Sequence, residues 1–108
     1  MGGSSSSSKS GGSAQPRSNC ENLKDQTQLN SIDVAVLSAV AKGDVLEVAV
    51  KSLKGAKIVV VLHEGKVLGS VTSNIVRKLL ECINDGHDYE AEVIAKTKTG
   101  CTVQISHK

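Results

Sequence analysis

The stretch Glu64–Gly86, EGKVLGSVTSNIVRKLLECINDG, carries two glycines, a short apolar run, a Ser/Thr step and a helix-like segment. It is either a phosphate cradle or the corner of a small β-fold. A phosphate cradle needs several glycines, so that backbone amides converge on an anion at a helix N-terminus. Here Lys66 precedes a strand instead of opening the helix, and VLGSV separates Gly65 from that helix. The corner is therefore the better reading. Gly65 turns a hairpin, and Gly69 lets the strand bend or lets another backbone approach. Thr72 or Ser73 stands where an N-cap hydroxyl is wanted. Ile75, Val76, Leu79, Leu80 and Ile83 then recur at helical spacing as one buried stripe, and Gly86 supplies a left-handed stop.

Working outward, KIVVVLHE before the corner places Ile58, Val60 and Leu62 on one face and Val59 and Val61 on the other. A strand apolar on both faces belongs inside a sheet. Further upstream, VLEVAVKS alternates, with Leu46, Val48 and Val50 inward and Glu47 and Lys51 outward. SIDVAVLSAV also alternates through Ile32, Val34 and Val36 and predicts a first strand. After the corner, DYEAEVIAKT and CTVQIS predict a closing hairpin around KTG. The order is β-β-β-β-α-β-β. The expected fold is mainly β: a small antiparallel β-barrel or curled sheet of about six strands with one α-helix.

Residues 1–30 predict a flexible Gly/Ser-rich N-terminal tail, because the first nineteen contain almost nothing to bury. Cys20–Asn30 is polar apart from Leu23 and Leu29 and suits linker or a weak helix. The folded domain is expected over residues 31–108. It carries ten Lys and Arg against nine Asp and Glu, a net +1, too little for a general polyanion surface. No apolar stretch follows the first lysine as a signal peptide would require, and no run reaches the ~20 apolar residues of a membrane span. A cytoplasmic protein with no membrane partner is the expectation. Tyr89 is the only Phe, Tyr or Trp, so the core must be aliphatic and a base-stacking platform is excluded. Cys20, Cys82 and Cys101 form an odd set without a CxxC pair, which argues against a disulfide and for a reducing compartment.

No metal, cofactor or enzyme active site is expected. His63, His87, His107 and Cys101 lack the tight spacing of structural zinc ligands. Cys82 falls beside the apolar helical stripe, where thiols are inert. Glu90 and Glu92 share a strand face with no partner acid beside them. The remaining candidates are basic or polar. Lys51, Lys54 and Lys57 bracket the SLKGA turn, and Lys66 sits beside the next one. Ser70, Ser73, Asn74, Arg77 and Lys78 surround the helix start. Each suits phosphate contact as well as a solvated surface.

The succession Gly43-Asp44-Val45-Leu46-Glu47-Val48, Gly65-Lys66-Val67-Leu68-Gly69, the helix to Gly86 and Tyr89-Glu90-Ala91-Glu92-Val93 resembles the HIRAN domain family. The resemblance spans about residues 35–105. It implies an OB-like β-barrel and a non-catalytic module that contacts nucleic acid, single-stranded DNA or DNA ends, in support of a helicase- or nuclease-type DNA-processing partner. The alternative from composition is a protein–protein or self-association module, such as a homodimer formed through an apolar sheet face or free edge.

Overall fold

A computed structural model describes residues 20–108 as one six-stranded antiparallel sheet with two helices. In chain order these are β1 (Lys24–Gln28), α1 (Val34–Leu37), β2 (Val45–Leu53), β3 (Ala56–His63), β4 (Lys66–Val71), α2 (Val76–Asn84), β5 (Tyr89–Lys96) and β6 (Cys101–His107). The strands lie in the order β1-β6-β5-β2-β3-β4. The mainly-β curled sheet expected from the sequence is present, and it is not closed into a barrel by a full ladder. Its two ends are joined by one bridge, in which Asn30 and Ser70 exchange backbone hydrogen bonds of 2.9 and 2.8 Å.

Two elements differ from expectation at the N-terminal end. Ile32–Val36 does not form a strand, because Asp33 starts a helix. Its Oδ1 accepts from the amides of Ala35 and Val36 at 3.0 and 3.3 Å, which satisfies free donors of a first turn. Val36, Leu37 and Val40 then point to the core while Val34 is left 53% exposed. The tail boundary also moves. Residues 20–22 make a 3-10 turn and Lys24–Gln28 pairs along its whole length with β6. The remainder of the expected tail, residues 1–19, lies outside the described residues.

The two hairpins β2–β3 and β3–β4 turn through two residues each. Lys54 and Gly55 have φ of 52° and 83°, Glu64 and Gly65 51° and 82°. Positive φ at both central positions is the type I′ geometry that matches strand twist. β3 is buried at Val59, Val60 and Val61, as a strand apolar on both faces requires. Val59 and Val61 join Leu46, Val71, Ala91, Val93, Val103 and Ile105 in the core, under Leu79 and Cys82 of α2. Each such fully buried Val, Leu or Ile side chain contributes about 1.5–3 kcal/mol.

Helix α2 begins later than its hydroxyls suggest. Its N-cap is Ile75, with no side-chain cap, because the two hydroxyls are engaged elsewhere. Thr72 Oγ1 accepts from Asn30 Nδ2 and Ser73 Oγ donates to Asp25 Oδ2. The C-terminus follows the expected pattern. Gly86 has φ of 102°, and the amides of Gly86 and His87 donate to the carbonyls of Ile83 and Cys82, a Schellman turn.

The cysteine reading is overturned. Cys20 and Cys82, 62 residues apart, form a disulfide, and Cys101 is the buried free thiol. The odd count concealed one bonded pair plus one core residue. Disulfides persist in oxidising environments, so cysteine usage no longer argues for a reducing compartment. No helix among the described residues is long and apolar enough to cross a membrane.

Candidate nucleic-acid interface

The nine candidate residues fall into three groups. The first is the end of the β2–β3 hairpin. Lys51 pairs across from Ile58 and Lys57 from Ser52, and Lys54 occupies the left-handed turn position between them. All three are exposed. Because side chains alternate along a strand, Lys51 and Lys57 leave the ribbon on opposite faces. Lys57 faces α2, where it lines a cavity of about 530 Å³ with Val50, Leu80, Glu81, Ile83 and Asn84. That groove therefore carries one cation and one carboxylate above an apolar floor.

The second group surrounds the start of α2. Asn74 and Arg77 are exposed and Lys78 is half-buried. Ser73 is held by Asp25. Ser70 is a structural residue: its amide, carbonyl and hydroxyl all engage Asn30. A nine-residue helix rises about 13 Å, and its far end, not this one, meets the hairpin groove. The third group is Lys66 alone, opposite His63 at the β3–β4 turn. It borders a cavity of about 320 Å³ with Asp33, Val36, His63 and Glu64. Six strand steps separate Lys57 from His63, about 20 Å, so Lys66 stands apart from the hairpin end. The structure thus brings Lys51, Lys54 and Lys57 together and leaves the other six elsewhere.

No family model, curated protein or solved structure matches the chain.

Local geometry explains why the hairpin end projects. β2 pairs with β3 from Glu47 to Leu53 but with β5 only from Val45 to Glu47. Among the described residues, the ribbon beyond Glu47 pairs only with β4, and beyond Val59 it pairs with neither neighbour. Among the described residues no group of three His, Cys, Asp or Glu is placed to hold a metal ion. Two titratable groups in the core are perturbed. Burial raises the Tyr89 hydroxyl above its ordinary value, and that hydroxyl donates to the Cys20 carbonyl at 2.6 Å. Burial also raises the Cys101 thiol, against a smaller lowering by Lys96. A buried thiol raised in this way is a poor nucleophile. Sequence reasoning missed the Cys20–Cys82 bond and a contact between His87 and His107, 20 residues apart. Neither pair has a local spacing signature.

Proposed function

We propose that this chain is a non-catalytic binding module that contacts nucleic acid through the end of the β2–β3 hairpin. The observation that carries the reading is the set Lys51, Lys54 and Lys57, exposed around one two-residue turn on a ribbon whose outer edge no described strand covers beyond Glu47. Lysines on both faces of the ribbon suit the phosphates of a strand passing on either side. The HIRAN-like motifs favour single-stranded DNA or DNA ends, with a helicase- or nuclease-type protein as the partner served. Because one tyrosine, itself buried, gives no stacking surface, affinity rests on phosphate contacts and is steeply salt-dependent.

Fluorescence anisotropy with a labelled single strand tests this. Three phosphate contacts give a slope of log K against log salt of about −2. Charge reversal by Lys51→Glu with Lys54→Glu is expected to weaken binding at least tenfold, while Lys66→Glu has little effect. Absence of binding at low salt and high micromolar protein removes the proposal.

A second reading rests on the same ribbon's backbone. Among the described residues no strand pairs with its outer edge from Val48 to Leu53, and Leu53 is 57% exposed. Such an edge accepts another strand, from a protein partner or a second copy. Light scattering across a concentration series separates the two: a concentration-dependent dimer favours self-association, and a constant monomer removes it.

A further inference from the structure

We propose that His87 and His107 form a two-histidine site for a divalent late transition-metal ion, of which Zn²⁺ and Cu²⁺ are the fitting examples. His87 Nδ1 and His107 Nε2 lie 3.0 Å apart. With metal–nitrogen bonds of about 2.05 Å, two nitrogens at that separation subtend about 94° at one ion. Opening the pair to roughly 3.3 Å gives the tetrahedral angle, a shift of a few tenths of an ångström. The ring centroids lie 5.2 Å apart, so the two nitrogens face each other nearly head-on, and the rings must turn before both lone pairs converge on one ion.

The second ring nitrogen of His107 is set as a metal-binding imidazole needs. A ligating histidine donates its other N–H to a carbonyl or carboxylate, which fixes the tautomer. His107 Nδ1 lies 2.7 Å from the Lys108 carbonyl oxygen. A carbonyl only accepts, so Nδ1 carries the proton and Nε2 presents its lone pair. His87 Nδ1–H is then the proton shared between the rings. The ion takes that proton's place. The displaced proton moves to His87 Nε2, so the ring keeps one proton and the exchange balances.

Both rings are held from behind. The His107 and Tyr89 rings meet edge to face at a centroid distance of 5.3 Å and 84°, and Tyr89 is anchored to Cys20. The His87 amide is fixed in the Schellman turn by the Cys82 carbonyl. The disulfide ties those two supports to each other. Both rings are half-buried, and a cavity of about 320 Å³ bordered by Glu21, Lys24 and Ser106 opens beside His107. No third ligating side chain is grouped with the pair among the described residues, so water fills the remaining positions. Imidazole donors favour copper, nickel and zinc over magnesium or calcium.

Titration calorimetry of the disulfide-bonded chain with zinc chloride tests the proposal. One ion per chain is expected. His87→Ala and His107→Ala should each weaken binding at least tenfold, and His63→Ala should leave it unchanged. Absence of binding at millimolar zinc, or equal loss in His63→Ala, overturns the site. A measurement without substitutions guards against variants that fail to fold. Substoichiometric Cu²⁺ should broaden the imidazole proton signals of His87 and His107 before those of His63, and broadening centred anywhere else overturns the proposal.

Discussion

Gly69 shows how a single missing methyl group decides the fold's closure. A Cβ there would stand 2.9 Å from the Asn30 carbonyl oxygen and 3.1 Å from Leu29 Cβ. The obstructing oxygen is backbone, held by the Asn30–Ser70 bridge that links the sheet's two ends. It cannot swing away as a side chain would. Gly69→Ala is therefore expected to destabilise the chain by about 1–3 kcal/mol through overpacking, read as a lower urea midpoint with an unchanged slope. An unaltered midpoint would mean that the bridge yields without cost. Gly69 was legible in the sequence as a place for close backbone approach, because a glycine inside an apolar strand has few other uses. Lys96 was not. Its ammonium donates to the Leu37 carbonyl at 2.8 Å and to the Val40 carbonyl, closing the end of α1, a role that a charge count assigns to no lysine.

At the scale of elements, the sequence pattern worked where one strand face is apolar and failed where none is. β2, β3, β4, β5 and β6 each carry the alternation or the doubly apolar run that betrays a strand. β1, KDQTQ, has no apolar residue, and only Asp25 and Thr27 are half-buried. It is held by its ladder to β6, and a polar edge strand leaves no periodic trace. The opposite error arose at Ile32–Val36. Ile32, Val36 and Val40 fit a helical stripe as well as Ile32, Val34 and Val36 fit a strand, and the Asp33 cap settles it for the helix. The two misreadings cancel, so the strand count agrees while the order does not. The pairing of β2 with β5 holds a further conflict that the linear sequence conceals. Glu47 lies directly opposite Glu90, with Glu92 opposite Val45. Like charges facing across a sheet destabilise it. Glu90→Lys, which makes the pair complementary, should stabilise the chain by about 0.2–1 kcal/mol. Thermal melts at low and high salt check this, since the gain must shrink as salt screens it.

For the whole molecule, the decisive element is the attachment of the N-terminal segment to everything else. β1 sits at one end of the sheet and is tied down by its ladder to β6, the Asn30–Ser70 bridge to β4, the Ser73–Asp25 hydrogen bond and the Cys20–Cys82 bond to α2. Only the last is covalent, and it is the one that the sequence argued against. Closing a 62-residue separation removes denatured-state entropy worth about 4 kcal/mol in the chain-entropy treatment. For a domain this small, that is a large share of the ~5–15 kcal/mol that holds a typical fold. Reduction, or Cys82→Ala, should therefore lower the melting temperature by ten degrees or more, roughly 4–8 °C for each kcal/mol. The loss should be uneven. With the covalent tie gone, β1 keeps its backbone bonds, the Ser73–Asp25 hydrogen bond and a polar side-chain set, so amides of Lys24–Gln28 should exchange hydrogen far faster than those of Val59–Val61 in β3. Hydrogen exchange of the oxidised and reduced chain reads both effects at once. Equal protection of β1 in the two states would show that the ladder alone holds the strand. The disulfide would then act only on the unfolded chain, with no part in keeping the ends of the sheet together.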